Sequence, residues 1–473
     1  MNKGIRSNFY ADIMSMHQEV TGSCNLVVVK FPNGETTKFM VDCGLFQEKE
    51  HYEDNDKMIC KPENLEFVLI THNHIDHTGR LPFLIKKGYA GKIYTTNITA
   101  DLLPLALYDS YRVLNDLAKR KNTTPLYTLA NVEKTIEKTL GCNFNEAVKV
   151  TPNIEVTFFK NGHLIGAAII LVKISYPGYE DINLLFTGDY NNKNLFFDVE
   201  ALPLDVRKLP LTVIQESTYG YVDSNKTEVV YEKNVLKAIN EGKTVISPVF
   251  SLGRAQEILY VLKQMQKQGK LSTSIPIYFD GKLAIQYTEI FLKKKIGIKP
   301  EMVNFLPENL VYVDKTTRGS IILDRSTKII VTTSGMGSYG PAQLYIPTFL
   351  LTKNALIHFT GYTAEGSLGR TLKEAEQGEV VNIFGLSLVK RADVEYTSEY
   401  SAHAKADEMI EFLKQFDNLN LVLVNHGQSD VKETFAKRIL NEIKTKYVGI
   451  LGSGYLFRVS NYGLIKTMGT KFE

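Results

Sequence analysis

The 473-residue chain contains no apolar run near the roughly 20 residues that a membrane helix requires. It has no low-complexity tract either, which sets aside fibrous and disordered classes. The N-terminus, MNKGIRSNFYADIMSMHQ, lacks the continuous apolar core of a signal peptide, so a cytoplasmic protein is expected. Cysteine is scarce. Cys24, Cys43, Cys60 and Cys142 are scattered without CxxC spacing, which argues against a disulfide framework or a thiolate zinc site and for reduced, buried small hydrophobes. Net charge is only +3, too little to mark a polyanion-binding protein by itself. What remains is an ordinary globular composition, 44% hydrophobic and 23% charged. The length suggests two domains, or one interrupted by another.

Charge is unevenly spread. Residues 217–394 hold 22 Lys and Arg against 16 Asp and Glu, a net +6, leaving −3 for the rest. A basic middle lobe could guide a phosphate backbone, although solvated lysines explain it nearly as well. Short β-branched apolar runs at 25–31, 37–44, 65–72, 154–159, 167–174, 182–189 and 211–217 read as strands. Helical spacing replaces them between 99 and 140, where Leu103, Leu107, Tyr111, Leu114 and Leu117 recur at three- and four-residue intervals. From about 228, helices alternate with strands, a pattern of βαβ units on a parallel sheet. A helix, a strand NLVLVNHG, another helix and final strands at about 447–467 complete the chain. It ends soon after them, so no appended RNA-binding or oligomerisation domain is expected.

The stretch THNHIDHTGR packs His72, His74, Asp76 and His77 into six positions. In extended backbone, side chains two residues apart share a face, so His72 and His74 can grip one cation while Asp76 and His77 suit a second. Each cation would still lack a ligand and a bridge. His163, Asp189 and His426 lie where apolar strands run out, as do Asp42 and Glu216, and strand ends present side chains to a cleft. Asp189 could span both cations. Imidazole and carboxylate donors without thiolate suit Zn²⁺ first and Mn²⁺ second. A lone His163 or His426 would read as a solvated surface residue; the density of HNHIDH reverses that.

HNHIDH resembles the signature of the metallo-β-lactamase superfamily. EVTGSC (19–24), GHLIGA (162–167), FTGDY (186–190), ESTYG (216–220), FSLGRAQE (250–257), GYTAEGSLGR (361–370), YSAHA (400–404) and NHG (425–427) are together similar to the β-CASP nucleases, which include ribonuclease J and the pre-mRNA 3′-end endonuclease. The resemblance runs from about residue 10 to the end. It implies an α/β fold, an αββα sandwich interrupted by an inserted α/β cap: 1–215 the first part of the metallo-β-lactamase domain, 216–394 the β-CASP cap, 395–473 the returning part. It also implies one zinc on His72, His74 and His163, another on Asp76, His77 and His426, and Asp189 bridging them. Glu216 and His403 are implied as a hydrogen-bonded pair at the scissile phosphate with His403 the general acid, giving a catalytic set of Asp76, Glu216 and His403, with Asp42 in support.

The chemistry stands beside the resemblance. Water between two zinc ions becomes a usable hydroxide near neutral pH, and an imidazolium kept charged by a carboxylate can protonate the leaving 3′ oxygen. Alone, Glu216 reads equally as a surface acid or cap and His403 as a helix-start residue. In the glycine-rich SGMGSYGPA (334–342), Ser334 and Gly335 could present backbone N–H groups to a phosphate, and a plain turn explains them equally. Arg254, Arg370 and Ser401, in three of the motifs, are candidate substrate contacts; the arginines could instead pair with acids. Lys405 stands where the family usually has an acid after SAHA, and Gln428 where many members have Glu. The reading is a zinc-dependent phosphodiesterase on single-stranded RNA threaded between sandwich and cap, with DNA open as a substrate, a second copy of the chain a candidate partner, and no membrane. The rivals are a thioester, lactone or ester hydrolase on the same metals, and a catalytically quiet RNA-processing scaffold.

Overall fold

The computed structural model describes residues 8–468 apart from 18, 227–228, 295–297, 362 and 364–365, so Tyr362, Ala364 and Glu365 of the GYTAEGSLGR motif lie outside the described residues. The chain divides into two compact units, one of Met1–Asn194, Val199–Ser224 and His403–Glu473, the other of Leu195–Asp198 and Asn225–Ala402.

In the first unit two mixed sheets face each other. One runs, in spatial order, Gly463–Met468, Leu456–Ser460, Tyr10–Ser15, Asn25–Lys30, Thr36–Val41, Phe67–Leu69, Lys92–Thr96 and Thr139–Cys142. The other runs Val448–Ile450, Asn418–Asn425, Pro210–Glu216, Ile182–Phe186, Ala168–Ile174, Ile154–Lys160 and Ala147–Thr151. Between them lies an apolar layer that includes Val27, Phe39, Phe67, Phe158, Ile170, Leu184 and Leu423, all buried. Helices Asn97–Lys121 and Leu129–Lys138 border the cluster of Met40, Val68, Leu103 and Val132 behind the first sheet. Helices Ala406–Lys414 and Ser429–Glu442 cover Leu185, Val213 and Val422 behind the second. Both faces of the central strands are therefore dry, which is why INLLF and LTVI read as largely apolar runs rather than strict alternations.

The late segment finishes both sheets. Leu456–Ser460 pairs antiparallel with Tyr10–Ser15, Ala11 opposite Val459, and Asn418–Asn425 pairs parallel with Pro210–Glu216, Glu216 opposite Asn425. That second pairing sets the ends of two strands, and the loops after them, side by side.

The second unit carries a six-stranded, all-parallel sheet in the order Leu310–Tyr312, Ile277–Asp280, Lys328–Thr332, Thr244–Pro248, Ala355–Phe359, Asp393–Tyr396. It is flanked by helices such as Arg254–Lys267 and Ala342–Leu350. The fold is thus mixed α/β, as expected. The helical spacing read over 99–140 is borne out except at its end. The helical stretch 99–140 is two helices, separated after Lys121 by Asn122 in the left-handed region (φ 52°), and Thr139–Cys142 is a strand pairing parallel with Lys92–Thr96. Pairing at the sheet edge, rather than local sequence, makes that segment a strand.

Candidate metal centre

Strand ends deliver the donors. Asp42 follows Thr36–Val41, His72 and His74 follow Phe67–Leu69, His163 follows Ile154–Lys160, Asp189 follows Ile182–Phe186, Glu216 ends Pro210–Glu216, and His426 follows Asn418–Asn425. The chain is extended at His74 (φ −77°, ψ 151°) and then turns into the short helix Ile75–Thr78, which carries Asp76 and His77 and leaves the His77 ring 4.0 Å from that of His72. Backbone bonds tie that turn down: Ser23 N donates to Asp76 O, Cys43 N to His77 O and Leu45 N to Ile75 O. The approach is so close that a Cβ on Gly44 would overlap the Asp76 carbonyl. Asp42 (φ 62°) and His426 (φ 47°) both adopt left-handed backbone, a cost that residues at functional sites often carry.

Two donor groups result. His72, His74, His163 and Asp189 form one, Asp76, His77, His426 and Asp189 the other, and within each group the ligand atoms lie within 4.8 Å of one another. Asp189 offers a different oxygen to each: Oδ1 is 3.1 Å from His77 Nε2 and 3.2 Å from His426 Nε2, while Oδ2 is 3.6 Å from both His72 Nε2 and His163 Nε2.

The donors fit divalent cations. Nε2 of His163 is 3.0 Å from Nδ1 of His74, and Nε2 of His77 is 3.3 Å from Nε2 of His426. A tetrahedron built on metal–nitrogen bonds of about 2.0–2.1 Å has an edge of about 3.3 Å, so these spacings match adjacent ligands. Nε2 of His72 is buried without a hydrogen-bond partner, which a protein tolerates poorly unless something else takes the lone pair. Burial lowers His74 to about 4 and, with His77, holds His72 well below the usual range; neutral imidazole is the ligating form. Burial opposes ionisation of Asp189, but His426, His77 and His72 outweigh it and hold the carboxyl well below its ordinary value.

Neighbouring side chains hydrogen-bond to the candidate ligands. Asp42 accepts from His77 Nδ1 at 2.7 Å and from Thr71 N at 2.9 Å. Thr71 Oγ1 lies 3.0 Å from His72 Nδ1, and Thr218 Oγ1 3.1 Å from His426 Nδ1. Asn161 accepts from His163 N and Asn191 N and donates to the carbonyls of Thr187 and Asp189. Sequence reasoning singled out Asp42 and missed Thr71, Thr218 and Asn161, although Thr71 precedes His72 directly and Thr218 lies within ESTYG.

Glu216 and His403 meet. Glu216 Oε1 is 2.9 Å from His403 Nδ1 and accepts from Tyr190 N at 2.5 Å; Oε2 accepts from Thr218 N. Nε2 of His403 then lies 4.0 Å from Asp189 Oδ2. Burial works against the imidazolium, but Glu216, through charge and hydrogen bond, and Asp189 raise His403 above the ordinary histidine value.

The remaining candidates belong to the second unit. Arg254 is buried, its Nε donating to Glu257 at 2.8 Å and its Nη1 to Thr360 O. Arg370 is exposed and donates from Nε to Glu374 at 2.5 Å. Ser334 Oγ accepts from Tyr339 N at 3.2 Å, Gly335 leaves no room for a Cβ beside the Phe250 ring, and Ser401 is partly buried. No helix among the described residues is long and apolar enough to cross a membrane.

Comparison with known proteins agrees with this architecture. Residues 20–155 match the family model for the metallo-beta-lactamase superfamily, 255–372 that for the Beta-Casp domain, and 388–448 that for the Zn-dependent metallo-hydrolase RNA specificity domain. An RNase J-like protein of Methanocaldococcus jannaschii is 29% identical over 433 residues, 89% of this chain and 95% of the relative. A ribonuclease of Thermus thermophilus is 29% identical over 429 residues, 87% and 92% of the two chains. The transcription termination factor FttA of Methanosarcina mazei is 29% identical over 454 residues, 90% of this chain but 68% of that longer protein. With three ordered domain matches, full-length relatives and a metal centre at the strand ends of an αββα sandwich, the chain belongs to the β-CASP branch of the metallo-β-lactamase superfamily.

Proposed function

We propose that the protein is a metal-dependent ribonuclease that hydrolyses phosphodiester bonds of single-stranded RNA, with His403 as general acid. The observation that carries this reading is the Glu216–His403 pair set against the shared carboxylate of two donor groups, His403 Nε2 standing 4.0 Å from Asp189 Oδ2. We assign one cation to His72, His74 and His163, a second to Asp76, His77 and His426, Asp189 to both, and zinc as the metal with manganese the alternative. Such a pair, when bound, supplies an activated water and neutralises charge on the phosphoryl oxygens.

The protein's own part is to place and protonate. Nδ1–H of His403 donates to Glu216, which leaves Nε2–H as the proton source; the carboxylate keeps the imidazolium populated until the departing 3′ oxygen takes that proton. A thioester or lactone hydrolase would need no such pair. Relatives named as ribonucleases support RNA as substrate. We assign the segment 216–394 to the β-CASP cap, and expect the protein to act in the cytoplasm.

Protein loaded with Zn²⁺ or Mn²⁺ should cut a labelled single-stranded RNA of defined length. His403→Ala should lower kcat by about a hundredfold or more while metal content, read by mass spectrometry, stays unchanged. Undiminished cleavage by that variant overturns the role of His403. Preference for single-stranded DNA, or turnover of a thioester instead, replaces the substrate.

A further inference from the structure

We propose that Ser217 is a positioning residue for the second cation: by bonding to both peptide groups that flank His426, it fixes the backbone there and so aims the imidazole. The inference rests on His426 being a ligand of that cation, as assigned above. His426 has left-handed backbone (φ 47°), in which a Cβ crowds the following carbonyl. A residue other than glycine keeps that conformation when its surroundings impose it. Because a peptide group is planar, only two torsions at His426 relate the plane of the Asn425 carbonyl to the plane of the His426 carbonyl. Holding both planes sets both torsions.

Ser217 reaches both. Its hydroxyl donates to Asn425 O at 2.9 Å, with a longer approach of 3.5 Å to His426 O, and its backbone N–H donates to His426 O at 3.0 Å. Glu19 O accepts from Gly427 N at 3.1 Å, a further bond to the second plane. Strand pairing puts Ser217 there: Glu216 lies opposite Asn425 at the end of the parallel ladder, so the next residue meets His426. Ser217 is fully buried, and a hydrogen bond shielded from water is electrostatically stronger. Gly427 fits the same account. It does not take up positive φ, so what it supplies is room, since a Cβ at 427 would collide with Ser217 Oγ. Thr218, next along, has its Oγ1 3.1 Å from His426 Nδ1, so consecutive residues set first the backbone and then the ring. The imidazole held in this way has Nε2 3.3 Å from His77 Nε2 and 3.2 Å from Asp189 Oδ1. His72, His74 and His163 stand on other loops, so loss of the Ser217 hydroxyl should spare their group.

The test titrates the full chain with Zn²⁺ against a chromophoric chelator, in the wild type, Ser217→Ala, Gly427→Ala and the Ser217→Ala/Gly427→Ala double variant. Ser217→Ala should weaken one of the two sites about tenfold or more and leave the other within about twofold. Gly427→Ala should weaken the same site in the wild-type background and add little to Ser217→Ala, because the hydroxyl with which its methyl group collides is gone. In the metal-free protein, the backbone carbon shifts of His426 should leave the left-handed range in Ser217→Ala. Where Ser217→Ala does not fold, Ser217→Cys, a weak donor, takes its place. Unchanged affinity at both sites, equal weakening of both, or left-handed His426 shifts retained in the variant each overturn the proposal. A wild-type chain that binds fewer than two zinc ions sinks the two-cation assignment instead, and the His426 shifts then decide the positioning role alone.

Discussion

Asp42 belongs to neither donor group yet is bonded to one of their histidines. Its carboxylate takes the Nδ1 proton of His77, which fixes the tautomer and aims Nε2 at Asp189, and it also binds Thr71 N and Oγ1. Asp42→Asn keeps size and polarity but loses the charge that makes the imidazole a stronger donor. Metal affinity should fall by about 10- to 100-fold, read by competition with a chromophoric chelator, with the far-ultraviolet dichroism unchanged. Wild-type affinity in the variant removes Asp42 from the site. At this scale HNHIDH was legible because four donors within six residues have no cheap structural use. Thr71, Thr218 and Asn161 were not, because hydroxyls and amides occur everywhere in loops and their meaning lies in a partner far along the chain, 208 residues away for Thr218 and His426.

Strands were legible where apolar runs were bounded by polar clusters, and residues at those boundaries come together in the two clusters of possible ligand atoms. Thr139 and Leu140, the last two residues of the stretch read as helical, are strand because they pair with Ile93 and Tyr94, not because of their own sequence. The second unit carries a different consequence on its strand Ala355–Phe359. His358 is fully buried there, its Nε2 3.3 Å from Asn234 Nδ2 and its ring 4.9 Å from that of Tyr231. Burial lowers it to about 4, with a bond to the Phe359 carbonyl opposing. The unfolded chain takes up a proton near pH 6.5 and the folded chain does not until about 4, so the stability contributed by neutral His358 is complete above 6.5 and lost as pH falls towards 4. About 3 kcal/mol is at stake across that window. His358→Gln should flatten the fall in thermal midpoint between pH 7 and 5, and the His358 ring in the wild-type chain should stay neutral at pH 5 by NMR. A ring that titrates near 6.5 refutes this.

On the scale of the molecule, local pattern ran out. Nothing in the run LFRVS says that it will lie beside Tyr10–Ser15, with Phe457 opposite Ile13, or that NLVLVN will lie beside LTVIQE. The interruption became legible only through motifs that stand late in sequence and belong to the early site. Structurally, the donors span from His72 to His426, so cations held there would cross-link strands whose connection passes through the whole second unit. Closing so long a loop is entropically costly to the chain, and a ligand that binds only the closed form stabilises it by mass action. At a free metal concentration a hundred times the dissociation constant the gain is about 2.7 kcal/mol. Chelation should therefore lower the thermal midpoint of the full chain, and adding back Zn²⁺ or Mn²⁺ should restore it. Asp189→Ala, which removes the carboxylate common to both donor groups, should melt at one temperature with or without chelator. If metal is stripped, as mass spectrometry would verify, and the wild-type midpoint does not move, the cations contribute to reaction alone and not to holding the returning strands in place.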